Sequence, residues 1–334
     1  MRQRCAFIGI PFFIILIMNH CSQHDEFPGL EGPYLGQKPP GDTAVVFAPG
    51  IVTTDHHEHS RIEFSLDGSE MYWAVIPVDT NYKATGSRPF KLNEQNIWCI
   101  KSVDDVWTTP AIFNLTQTSG GSTPVFSANG DTFYYRSSKP DADPNMRPRP
   151  SQLWKVSYDK GRWGEPMEEH NLLPNQEGKT FMSFGFAQNG NIYFDYGGPD
   201  ETGEWWWNIY FSEFKNGEYL VPVKMGYGIN DGEVSWCPWI APDESYIIYS
   251  SHRDGEFGRG DLYINFKDER GNWSVPMNMG ERVNSEFQER FPSVSPDGKY
   301  LFFARHNPET FSDIFWVDAK IIEELKPEEL KYRK

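Results

Sequence analysis

Between Ile62 and Asp318, apolar and polar positions follow a plan that repeats five times. Each copy carries an apolar run, a tight polar turn and a second run rich in aromatic and β-branched residues. The copies are IEFSLDGSEMYW (Ile62–Trp73), PVFSANGDTFYY (Pro124–Tyr135), FGFAQNGNIYF (Phe184–Phe194), PWIAPDESYIIY (Pro238–Tyr249) and PSVSPDGKYLFF (Pro292–Phe303). Their turn pairs, Asp67-Gly68, Asn129-Gly130, Asn189-Gly190, Asp243-Glu244 and Asp297-Gly298, are 62, 60, 54 and 54 residues apart. Asp or Asn closes such a turn through its own side chain and Gly accepts positive φ, so each pair predicts a reversal between two strands. Glu244 stands where the other copies have Gly, which predicts a different turn geometry or local strain.

Two further signatures keep register with the turns. NIWCIK (Asn96–Lys101), QLWKVS (Gln152–Ser157), NIYFSE (Asn208–Glu213), DLYINF (Asp261–Phe266) and DIFWVD (Asp313–Asp318) read as third strands. An aromatic-x-x-Pro element then closes the first four copies at Trp107–Pro110, Trp163–Pro166, Tyr219–Pro222 and Trp273–Pro276. Each unit is therefore a four-stranded antiparallel meander with two apolar faces, and such sheets cover one another when packed around an axis. The fifth copy lacks the closing element and runs into the helical pattern Ala319–Leu330, so Thr43–Pro49 (TAVVFAP) is expected to supply its outer strand. The expected fold is all-β, a five-bladed β-propeller of four-stranded antiparallel blades closed by an N-terminal strand, with six blades as the alternative. In this reading residues 1–20 are a leader, 21–41 a tail, 42–318 the propeller and 319–334 a helical tail. Polar insertions at Pro77–Gln95 and Lys139–Ser151 interrupt the first two blades.

The N-terminus follows a different pattern. Arg2 and Arg4 precede Ala6–Met18, thirteen uncharged and mostly apolar residues, the length of a signal-peptide core and too short for a membrane span. A buried N-terminal strand is the other reading. Cys21 resembles the acceptor cysteine of a bacterial lipoprotein, although Ile17–His20 ahead of it are not the usual small residues; cleavage nearby and release is the alternative. Both outcomes put the protein outside the cytoplasm, as a periplasmic, outer-membrane-anchored or secreted protein. Beyond the leader only Cys99 and Cys237 follow Cys21, too few for a disulfide scaffold, and both are expected as buried thiols. The formal net charge of -16 disfavours nucleic acid as a partner.

SPDGKYLFF at Ser295–Phe303, followed by DIFWVD at Asp313–Asp318, resembles the WD40-like (PD40) repeat of TolB-type propellers, and the other four copies follow it with variations. The resemblance spans about residues 42–318. It implies an extracytoplasmic propeller of a kind found in peptide- and protein-binding components, in propeller domains of serine peptidases and in some sugar-active proteins.

Candidate chemistry lies outside the repeated positions. Asp55-His56-His57-Glu58-His59 is the densest cluster, and in an extended segment His57 and His59, or Asp55 and His57, share a face. Asp55, His57 and His59 are thus candidate ligands of a divalent metal, the one cofactor the sequence suggests, against the plainer reading of a solvated polar loop. His59 precedes its turn by eight residues, as Glu289 does, so both are expected at one end of the central channel. Glu177, Glu233 and Glu286 are expected to add carboxylates there. Arg61, Arg253, Arg290 and Arg305 are candidate anchors for a carboxylate or sugar acid, or else salt-bridged framework. Trp98, Trp107, Trp154, Trp163, Trp273 and Trp316 occupy repeated positions and read as inter-sheet filling, whereas Trp205-Trp206-Trp207 does not repeat, and Trp206 is taken as a ligand contact.

No G-x-S-x-G elbow is present, and no nucleotide loop or nucleic-acid motif appears. The leading expectation is a monomeric, non-catalytic envelope or secreted propeller that binds a protein, peptide or glycan through its channel mouth and blade loops. The competing one is a metal-assisted lyase or hydrolase acting on an acidic carbohydrate through the Asp55–His59 cluster.

Overall fold

The computed structural model describes residues 29–79, 81, 90–116, 120–137, 152–174, 178–226 and 228–331. The leader, Cys21, Glu177, the whole of the insertion Lys139–Ser151 and residues 80 and 82–89 of the other lie outside the described residues.

Every one of the five turns forms as its sequence dictates. The side-chain oxygen of Asp67, Asn129, Asn189, Asp243 or Asp297 accepts the backbone N–H two residues on, at 3.0–3.4 Å. Gly68, Gly130, Gly190 and Gly298 sit at φ between 71° and 90°. Glu244 takes the same left-handed conformation, φ 59°, so the fourth turn keeps the common geometry and bears the strain. Its carboxylate is tied down in return by Asn191 Nδ2 and the Tyr193 hydroxyl, both at 2.8 Å, and by Lys267 Nζ at 3.0 Å.

The turns join strands into antiparallel sheets. Four of these have blade form: Ser122–Phe126 to Met167–Glu169, Phe184–Phe186 to Val223–Lys224, Val234–Ile240 to Met277–Asn278, and Gln288–Val294 to Phe311–Asp318. In the last of them Val45 and Val46 pair with Trp316 and Phe315, so the outer strand comes from the other end of the chain.

The first sheet departs from the expected uniform blade, and the plan of five four-stranded blades, like the six-bladed alternative, is corrected to a four-bladed propeller with an extra open half-barrel sheet. That sheet has seven strands. Asn96–Val103 runs past its ladder with Glu70–Ile76 so that Ser102 and Val103 pair with Trp107 and Val106. The free edge of Val106–Trp107 is then taken by Leu30–Glu31, which the sequence reading leaves in a tail, and the Trp107 indole donates to Gly32 O at 2.7 Å. On the other side two short strands, His57–Glu58 and Glu63–Phe64, share Glu70–Ile76 as partner. The repeat signatures count strands within a copy and do not register such added pairings.

Alternate residues of one strand serve different inter-sheet cores. Tyr72 and Ala74 join Phe126, Phe133 and Val156 of the second sheet, whereas Met71, Trp73 and Val75 join Phe302, Ile314 and Trp316 of the last. Ile247 and Tyr249 face the third sheet through Tyr193 and Ile209, while Ile248 faces Leu301 and Phe303 of the last. The six repeated tryptophans all belong to, or lie against, these clusters. Helix Lys320–Leu325 buries Ile321 and Ile322 against the seam of the fourth and last sheets. Among the described residues no helix is long and apolar enough to cross a membrane.

Candidate functional site

The centre of the ring is built by a feature that the hydrophobic pattern does not announce. Six residues before each turn stand Arg61, Thr123, Ser183, Cys237 and Phe291. Thr123, Cys237 and Phe291 have φ of 53°, 51° and 54°, and the ladders of their sheets slip at the same place. These are bulges in the innermost strands, and a bulge re-aims the side chains beside it. Around them the sheets are stitched together: Thr123 Oγ1 donates to Met182 O at 2.9 Å, and Arg61 Nη2 donates to Ser183 Oγ at 2.7 Å and to Phe184 O. Asp195, fully buried, accepts from the N–H groups of Met182, Ser183 and Cys237 at 2.5, 3.0 and 2.7 Å. Burial outweighs those bonds and pushes its carboxyl up to about 6.

At one end of this centre lies a cavity of about 390 Å³ whose polar lining is His57, His59, Gln95, Ser122, Arg136, Arg290 and His306. His57 and His59 point the same way from their extended segment and stack with ring centres 5.1 Å apart; His306 meets His57 edge-on at 5.4 Å. Glu58, between them, points the opposite way and is fully buried, accepting from Thr54 N and Oγ1 at 3.1 and 2.8 Å. Its carboxyl is pushed up to about 8, chiefly by burial.

The electrostatics of the cavity are one-sided. The Nε atoms of Arg136 and Arg290 are buried without a hydrogen-bond partner, as is that of Arg61 below them. Arg136 rests over the Phe181 ring at 5.8 Å and Arg290 over Phe291 at 5.7 Å. Burial lowers Arg290 and pulls Arg136 down to about 10, and a guanidinium group stays charged at neutral pH. Burial and then Arg290 push His57 down to about 3 and His306 to about 4, and hold His59 far below its ordinary value. At neutral pH the cavity therefore presents fixed guanidinium charge and uncharged imidazoles.

The other candidates are dispersed. Asp55 is exposed and lies 3.8 Å from His56, away from His57 and His59. Among the described residues no group of three or more His, Cys, Asp or Glu side chains is disposed to hold a metal, and a divalent cation in this cavity would face Arg136 and Arg290 with no carboxylate lining it. Glu289 is fully buried but engaged by Ser285 Oγ at 2.6 Å and Arg305 Nε at 2.7 Å. Glu233 holds His252 at 2.7 Å, and Glu286 lines a separate outer cavity. Arg253 is framework, donating to Gly228 O, Ile229 O, Ser251 Oγ and the Tyr249 hydroxyl. Lys179 sits 4.0 Å above the Trp206 ring, while the Trp205 and Trp207 rings stack at 5.8 Å with Trp205 exposed. Cys99 and Cys237 are free, buried thiols.

Arg136 and His306 were not singled out from the sequence, yet a signal exists. Seven residues after the turn the copies carry Ala74, Arg136, Tyr196, Ser250 and Ala304; seven before it they carry Ser60, Ser122, Met182, Trp236 and Arg290. One position earlier than Arg136, Asp195 stands among Trp73, Tyr135, Tyr249 and Phe303. A lone charge in an otherwise uncharged register sets Arg136, Asp195 and Arg290 apart, but it sets apart the framework residue Arg305 equally, among Val75, Ser137, Gly197 and Ser251, and it does not single out His306.

No family model matches the chain, and no curated protein matches it. Solved structures similar to it include TolB from Acinetobacter baumannii, 13% identical over 78% of this chain and 53% of that one, with a TM-score of 0.42. A protein of unknown function from Dyadobacter fermentans is 15% identical over 84% and 83%, with a TM-score of 0.48. Trypanosoma rangeli sialidase in complex with the inhibitor DANA is 12% identical over 89% and 60%, with a TM-score of 0.46. The chain thus spans about half the length of TolB and three fifths of the sialidase. These likenesses single out no family, and the distorted β-propeller is read from the sheets themselves.

Proposed function

We propose that this protein binds a glycan bearing a carboxylate, with the acid group held by Arg136 and Arg290 at the channel mouth. One observation carries the reading: two half-buried guanidinium groups whose Nε atoms lack a hydrogen-bond partner, neither in an ion pair among the described residues, face a cavity lined by neutral histidines and no carboxylate. Burying an unpaired charge is costly, and a ligand carboxylate removes that cost while gaining directed, charge-assisted hydrogen bonds. His57, His59, His306 and Ser122 are uncharged donors and acceptors suited to sugar hydroxyls, and Phe90 and Ile76 supply apolar wall.

Acidic carbohydrate is retained here from the enzymatic expectation, and metal assistance is not. Histidines held at about 3 and 4 are poor general bases at neutral pH, which favours binding over turnover. With its leader-like Ala6–Met18 and Cys21, the chain reads as an envelope or secreted WD40-like repeat protein, with lipid anchoring at Cys21 one of the two processing outcomes described above. Calorimetric titration with glucuronic acid and with glucose is the test. Heat from the acid alone, abolished by Arg290→Met in a folded variant, is expected; equal binding of both sugars, or of neither, overturns the reading.

A further inference from the structure

Beside the arginine cavity lies a second one of about 760 Å³, roughly twice its size, lined in part by Arg259, Phe287, Gln288, Asn307, Glu286 and Glu309. His306 is a wall of both, so the two cavities adjoin. Resting on the acidic-glycan reading, we propose that the ligand is an oligosaccharide with one acidic unit in the inner cavity and uncharged units in the outer one.

The chemistry changes across His306. The inner cavity presents two guanidinium groups and no acid, whereas the outer one presents two carboxylates, Glu286 and Glu309, against the single cation Arg259. A second carboxylate on the ligand would meet a net like charge there, and like charges are a means of rejecting a wrong partner. What the outer cavity offers instead is amide chemistry. Gln288 Nε2 is used by Arg259 O at 3.0 Å and Asn307 Oδ1 by Glu309 N at 2.9 Å, which leaves the Gln288 oxygen and the Asn307 NH2 group for hydroxyls. Phe287, partly buried, adds an aromatic surface against which a pyranose can lie.

Titration calorimetry of the full chain with five probes tests this: glucuronic acid, an aldobiouronic acid in which glucuronic acid is linked to xylose, galacturonic acid, digalacturonic acid, and xylobiose. The expected result is that the aldobiouronic acid binds at least about tenfold tighter than glucuronic acid, that digalacturonic acid gains nothing over galacturonic acid, and that xylobiose does not bind. Glu286→Gln with Glu309→Gln is expected to tighten digalacturonic acid several-fold relative to its monomer. Equal affinity for glucuronic acid and the aldobiouronic acid, or tighter binding of digalacturonic acid by the unaltered protein, overturns the two-cavity proposal and leaves the acid site standing. Absence of binding by every acid overturns both.

Discussion

Replacing Arg136 by Met should make the protein more stable and less able to bind. The Arg136 guanidinium is drawn down from 12.5 to about 10, mainly by burial, and its Nε has no partner. A displacement of that size corresponds to roughly 3 kcal/mol against the charged form in the folded state. Methionine keeps an unbranched stem in the same place and removes the charge. Against the gain stands the lost cation–aromatic contact with Phe181, worth about 0.5–1 kcal/mol. Net stabilisation of about 2 kcal/mol is expected, or on the order of 4 °C in Tm for a chain of this size. Arg136→Lys keeps the charge and should gain little of this. The assay is denaturant and thermal unfolding of each protein with and without glucuronic acid. Ligand that protects the unaltered protein, by about 2.7 kcal/mol at a hundred times Kd, should protect Arg136→Met far less. If Arg136→Met loses 1 kcal/mol or more, or gains stability and still binds glucuronic acid normally, Arg136 is framework and the reading of the cavity fails.

Three further outcomes can be checked. Glu244→Gly relieves about 1 kcal/mol of left-handed strain but strips Asn191, Tyr193 and Lys267 of their shared acceptor, so urea unfolding should show a net loss of about 2 kcal/mol. His57 is depressed to about 3, so its contribution is present above about 6.5 and lost as pH falls through 3; Glu58 is raised to about 8, so its contribution is present below about 4.5 and lost as pH rises through 8. His57→Asn and Glu58→Gln should each remove a slope of about 1.4 kcal/mol per pH unit, with opposite signs, from stability measured across those windows. In a chain with Cys5→Ser and Cys21→Ser, the buried thiols of Cys99 and Cys237, both pushed up by burial, should react with Ellman's reagent only on unfolding.

What was legible in the sequence is what the chain settles locally. Each turn is closed within a few residues by its own Asp or Asn, and His57 and His59 share a face because they are two residues apart in an extended segment. The shape of the first sheet was not legible, because Leu30 finds Trp107 across more than seventy residues with no signature to announce it. Nor was the fate of Glu289. It holds the same register as His59, but Arg305 on the next strand claims it and removes it from the channel. The bulges at Thr123, Cys237 and Phe291 were hidden for a related reason: none is Gly, so composition gives no hint of positive φ.

Those bulges and the desolvated arginines put much of the unfavourable energy in one place. Three non-glycine residues in left-handed conformations cost roughly 1–2 kcal/mol each, and Arg136 and Arg290 add half-buried charge whose Nε atoms lack a hydrogen-bond partner, while the favourable burial lies in the clusters between sheets. Arginines in this ring should therefore fall into two populations distinguished by the sign of a single measurement. Arg305 donates to Glu289 and to Val283 O, and its removal leaves a fully buried carboxylate whose Oε2 already lacks a partner. Arg305→Met should cost about 3–5 kcal/mol, as breaking a buried pair does, where the same change at Arg136 should stabilise. Opposite signs for one substitution at two half-buried arginines would separate a charge kept for the fold from a charge kept for a ligand. The same sign at both would mean that burial, and not function, explains them all.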